Sequence, residues 1–184
     1  MSVIYDIPVE KIDGSPGTLG EFAGKVLLVV NVASKCGYTP QYESLERLYR
    51  ENRERGLVVL GFPTNDFGGQ EPGANAEIAA FCSATFGVDF PLFSKISVEV
   101  ENRHPLYRAL IGAQPRATEK ADGSFSKRMA TFGISRKDPS DVFWNFEKFL
   151  VARDGTVVGR FTSDIAPDDP MLAEAIEREL EKKP

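Results

Sequence analysis

Two thiols, Cys36 and Cys82, are the side chains of this sequence best suited to covalent chemistry. Cys36 follows the apolar, β-branched run Val26–Val32 and precedes a helix that Thr39 and Pro40 are placed to open as N-cap and first residue. A strand-to-helix turn of this kind lies at the carboxyl edge of a sheet, where α/β proteins bind ligands. The helix N-terminus and the neighbouring Lys35 both favour a thiolate, the reactive form of cysteine. The bland alternative is an inert small residue in a turn. Thr39 stands where a C-x-x-C pair would need its second cysteine, which argues against a general dithiol oxidoreductase. A resolving thiol within the chain would have to be Cys82. Its spacing from Ile78, Phe81 and Thr85 puts it on one face of a helix, which by itself reads as a core position.

Three further residues share one chemical property. Gln70, Trp144 and Asn145 can each donate an N–H from a neutral group. Brought to Cys36, they would stabilise a thiolate without lending it a proton. Lowering a thiol by about two pKa units takes about 2.7 kcal/mol, and one or two hydrogen bonds to a charged group at roughly 1.5–3 kcal/mol each would supply it. Spacing alone does not bring them together. The single histidine, His104, precedes Pro105 at a helix start and reads as a capping or surface residue. One histidine excludes metal sites that need two.

The elements that must position these groups follow from periodicity. Segment 26–32 is a buried strand; Tyr42, Leu45, Leu48 and Tyr49 recur at helical spacing until Gly56; segment 57–62 is a second buried strand. A Gly- and Pro-rich loop over 63–73 leads to a helix at 77–86. A short extended piece at 90–93 and a helix at 105–111 follow, the latter with Leu106, Tyr107 and Leu110 inward. Segment 112–142 has no periodicity, so it is a functional loop or conceals a short helix. Segment 146–161 is a hairpin turning at Asp154-Gly155, and Asp169-Pro170 opens a last helix. Two buried strands joined through a helix form a parallel βαβ unit. The expected architecture is α/β: a mixed central sheet with helices on both faces, in one domain over 1–184.

Composition narrows the function. With 184 residues the chain buries a sizeable core unaided. A net charge of −5 argues against nucleic acid as a partner. The first residues carry Asp6, Glu10 and Asp13 against Lys11, unlike a secretory leader. The longest apolar run is far short of a membrane span. Two cysteines make no disulfide framework. The expected compartment is the cytoplasm.

Three segments together resemble the glutathione peroxidase family. Asn31-Val32-Ala33-Ser34-Lys35-Cys36-Gly37-Tyr38-Thr39-Pro40 is similar to its peroxidatic motif, Gly61-Phe62-Pro63-Thr64-Asn65-Asp66-Phe67-Gly68-Gly69-Gln70-Glu71-Pro72-Gly73 to its second motif, and Trp144-Asn145-Phe146-Glu147-Lys148-Phe149 to its third. The resemblance covers nearly the whole chain. It implies a thioredoxin-like fold and reduction of hydrogen peroxide and organic hydroperoxides by a thiol, without metal, flavin or haem. It makes Cys36 the peroxidatic residue, in the place where some members carry selenocysteine, and Gln70, Trp144 and Asn145 the rest of the active-site tetrad. Cys82, in Phe81-Cys82-Ser83-Ala84-Thr85-Phe86, matches the resolving residue of members reduced by thioredoxin. Thr64 and Asp66 depart from residues common in the second motif. The resemblance leaves glutathione as a rival reductant, with Cys82 then structural, and leaves the oligomeric state open. A redox sensor that relays its oxidation to a protein partner is the reading from another functional class.

Overall fold

A computed structural model describes residues 3–184. Its centre is a four-stranded sheet built from β3 (Val26–Val32), β4 (Leu57–Pro63), β5 (Lys148–Val151) and β6 (Val157–Phe161), in the order β4-β3-β5-β6. Two shorter strands, β1 (Pro8–Glu10) and β2 (Pro16–Thr18), pair antiparallel ahead of it. β3 and β4 run parallel, in register from Val26 opposite Leu57 to Val32 opposite Pro63. β5 returns antiparallel against β3, and β6 antiparallel against β5. The βαβ unit, the hairpin and the mixed sheet therefore stand as the periodicity implies.

The pleat of β3 splits the core in two. Val26, Leu28, Val30 and Val32 face one cluster, with Tyr42 and Leu45 of α1 (Gln41–Asn52), Ile78 and Cys82 of α2 (Asn75–Phe86), and Leu172, Ile176 and Leu180 of α5 (Pro170–Leu180). Leu27 and Val29 face the other, with Leu106, Tyr107 and Leu110 of α3 (Pro105–Ala113). Every residue of β3 is buried, which is why its sequence is continuous rather than alternating.

Some details differ from the sequence reading. α1 begins at Gln41, and Thr39 does not cap it. Instead the Thr39 hydroxyl accepts from the Cys36 amide at 2.9 Å and donates to the Ala33 carbonyl at 2.7 Å, so its bonds close the cysteine turn. Thr85 is exposed and Phe81 half-buried, leaving Ile78 and Cys82 as the buried residues of α2. Segment 112–142 does conceal a helix, α4 (Ser124–Thr131), with Phe125 and Met129 buried. His104 caps α3 as expected, its Nδ1 accepting from the Leu106 amide at 3.1 Å.

Candidate active site

Cys36 sits on the turn between β3 and α1, at the carboxyl end of β3, yet it is only 7% exposed and packs with the core. A residue in a turn is thus part of the core. The Tyr38 amide donates to its Sγ at 3.3 Å. The Trp144 and Asn145 side chains lie near enough to favour its thiolate, and the Arg128 charge acts on it from α4. These four pull the thiol down, but burial pushes it up and prevails in the resting protein. The expected net bias to thiolate is therefore absent at rest. The cationic contribution comes from Arg128, not from Lys35, whose side chain is exposed.

Gln70 stands one step further out. Its Oε1 accepts from Asn145 Nδ2 at 2.9 Å, and its carbonyl accepts from the Lys35 amide at 3.0 Å. It orients Asn145 and ties the second motif to the cysteine turn. Gly68 makes the approach of Trp144 practicable: φ is +66°, and a Cβ there would lie 3.3 Å from the indole ring. The Trp144 ring also lies 5.7 Å from that of Phe67.

The sequence reading missed the groups that hold this cluster still. Phe146 adopts φ +68°, a conformation costing about 1–3 kcal/mol for a residue with a side chain. Its amide donates to the Asn31 carbonyl at 2.6 Å, and its own carbonyl accepts from Lys148 Nζ at 2.6 Å. Asn31 Nδ2 donates to the Trp144 carbonyl at 3.1 Å. Glu147, paired with Arg160 at 2.8 Å with both side chains fully buried, accepts from the Phe143 amide. The backbone is thus fastened from Phe143 through Phe146, the segment that carries Trp144 and Asn145. The available signal was Glu147-Lys148 opening an otherwise apolar strand, since charges there must find buried partners.

Cys82 is fully buried and, like Cys36, a free thiol. Burial pushes it up to about 11; the Tyr42 hydroxyl eases this and the Glu71 charge adds to it. Beside Trp144 opens a cleft of about 690 Å³, walled by Phe67, Val98, Ile134 and Phe143 with Arg103 and Arg136. α4 flanks the site: Phe125 packs on Phe143 and Tyr38, and the Arg128 guanidinium lies 5.6 Å from the Tyr38 ring centre. Among the described residues there is no cluster of three or more His, Cys, Asp or Glu side chains able to hold a metal ion. No helix among them is long and apolar enough to cross a membrane.

The family model described as glutathione peroxidase matches residues 4–111. Thioredoxin/glutathione peroxidase BtuE of Escherichia coli is 53% identical over 174 residues, 95% of each chain. Hydroperoxy fatty acid reductase gpx1 of Synechocystis is 45% identical, over 97% of this chain and 96% of its own. The crystal structure of T. cruzi GPX1 aligns at a TM-score of 0.69 and 31% identity, over 97% of both chains. A thioredoxin-family thiol:disulfide interchange protein of Chlorobium tepidum aligns at a TM-score of 0.58 and 16% identity, over 98% of this chain and 99% of its own. The fold is thioredoxin-like.

Proposed function

The chain belongs to the glutathione peroxidase family and is a thiol-dependent peroxidase, and on that premise we propose that Cys36 is its peroxidatic residue. The observation that carries the reading is the Tyr38 amide bonded to the Cys36 sulfur, with Trp144 and Asn145 close enough to favour its thiolate. The Cys36 sulfur, giving up its proton, attacks the terminal peroxide oxygen. The O–O bond breaks, water or an alcohol departs with the proton, and Cys36 becomes a sulfenic acid. The donors that face the sulfur stabilise the charge in transit. Burial keeps the resting thiol protonated and shielded, so these donors act mainly in the transition state.

Cys82 then condenses with the sulfenic acid, and an external dithiol of the thioredoxin kind reduces the disulfide. The name of the Escherichia coli relative, with both reductants in it, is compatible with either cycle. The complete burial of Cys82 favours the second reading, in which glutathione attacks oxidised Cys36 directly. Peroxide consumption with each reductant in turn, in wild type and Cys82→Ser, separates them. Under the first cycle Cys82→Ser stalls after one oxidation with thioredoxin; under the second it turns over with glutathione as wild type does.

The cleft beside Trp144 suits the organic part of an alkyl or lipid hydroperoxide, in keeping with the name of the Synechocystis relative. Two free thiols suit a reducing compartment such as the cytoplasm.

A further inference from the structure

The peroxidase mechanism leaves the buried acid Glu71 unused. Glu71, in the loop between β4 and α2, is 1% exposed. Its amide donates to Asn65 Oδ1 at 2.9 Å, but neither its carboxylate Oε2 nor the Ser34 hydroxyl has a hydrogen-bond partner. It lines a groove of about 360 Å³. One wall is Ser34 and Lys35, directly before Cys36; the other is Ile78 and Phe81, on the turn of α2 that carries Cys82. The acid therefore lies between the two elements whose thiols must meet. The Ser34 hydroxyl and amide, Lys35 and Lys95 hold its proton affinity down, and burial, which outweighs them, holds it up. Its charge reaches Cys82 and Tyr42 in turn. Glu77 also lines the groove.

Cys82 needs such a neighbour. A thiol held at about 11 is thiolate in only about one molecule in 10⁴ at neutral pH. Attack through the free thiolate from this buried position would be slow by that factor. A positioned base that takes the proton as the new bond forms removes the requirement, a contribution of roughly 10²–10⁴-fold in general.

We propose that Glu71 is the general base of the resolving step. This rests on Cys82 being the resolving thiol. The Cys82 S–H bond breaks and its proton passes to the Glu71 carboxylate. The Cys82 sulfur bonds to the Cys36 sulfur, and the S–O bond of the sulfenic acid breaks. The departing hydroxide takes the proton from Glu71 and leaves as water. Cys82 is oxidised, the sulfenic sulfur is reduced, and Glu71 is regenerated.

The test is the rate of Cys36–Cys82 disulfide formation after one equivalent of hydrogen peroxide, followed by acid quench and mass spectrometry from pH 5 to 9. In wild type the rate rises with pH through one titration placed above the ordinary carboxylate range, then levels. Glu71→Gln slows it about 10²-fold or more, and its rate climbs with pH without levelling below 9, as free-thiolate attack requires. Ser34→Ala, which keeps the base and removes a hydroxyl that holds its proton affinity down, moves the wild-type midpoint upward. This second variant decides the matter if Glu71→Gln does not fold. A wild-type rate and profile in Glu71→Gln, or an unmoved midpoint in Ser34→Ala, overturns the role of Glu71 and leaves Cys82 as resolving thiol. Absence of the disulfide in wild type overturns the resolving assignment itself, and Glu71 with it.

Discussion

Burial and hydrogen bonding pull the Cys36 thiol in opposite directions, and which one dominates changes during the reaction. At rest, desolvation wins. As charge moves to the peroxide, donors already in place strengthen at no cost of reorganisation. Asn145 and Trp144 act on the Cys36 thiol themselves, whereas Gln70 acts through Asn145. Asn145→Ala should therefore slow Cys36 oxidation by about 10²-fold, and Gln70→Ala by clearly less, measured as stopped-flow rates at one peroxide concentration. Equal losses would put Gln70 on the sulfur directly. Cys36, Gln70, Trp144 and Asn145 could be picked from the sequence because their side chains are chemically distinctive, whereas Cys82 reads as a core position until the family resemblance gives it a role. The order of contact was not, since it depends on a 2.9 Å bond between residues 75 apart in the chain. Asn31 was missed because it acts through a backbone carbonyl, which leaves no mark on side-chain pattern; Lys148 left one, a charge opening an apolar strand, that does not say which carbonyls it meets.

α2 is fastened less firmly than its neighbours, and Cys82 inherits that. Only Ile78 and Cys82 of its residues are buried, and Gly87, at φ +59°, ends it. Its far end is held from α1, where the buried Glu46 accepts from the amides of Asp89 and Phe90 and pairs with Arg50 at 2.9 Å. A helix with so little buried surface opens locally at modest cost. Hydrogen exchange should show α2 losing protection after one equivalent of peroxide while β3 keeps its own. Unchanged protection of α2 would mean that Cys82 never leaves its place. The long strands and α5 were legible because their apolar residues repeat. α4 was not, because an eight-residue helix with two buried side chains, Phe125 and Met129, carries too little periodicity. The role of Thr39 was misassigned for a different reason: a threonine before a proline suits both a helix cap and a turn, and the carbonyl of Ala33 decides between them.

For the molecule as a whole, the charges beneath the site tie its geometry to pH. Lys148 is fully buried, and burial lowers it to about 7 while it donates to the carbonyls of Phe146 and Ser163. Between there and the usual lysine value of about 10.4 the unfolded chain binds a proton that the folded chain does not, so stability rises with pH across that window. Lys148→Met removes this rise. Urea midpoints at pH 7 and pH 9 should differ more in wild type than in the variant, whatever the variant loses in absolute stability by giving up two hydrogen bonds. The raised thiols of Cys36 and Cys82 act with the opposite sign above the usual thiol range, but equally in both proteins. An equal pH response would place the lysine charge outside the folding balance.

If one sulfur does the peroxide chemistry, Cys36→Ser abolishes it. The exchange of sulfur for oxygen in a 7%-exposed turn should leave circular dichroism and thermal unfolding close to wild type. Consumption of hydrogen peroxide should fall to the uncatalysed rate with thioredoxin and with glutathione alike. A folded Cys36→Ser protein that still consumes peroxide at a rate near wild type would contradict the account.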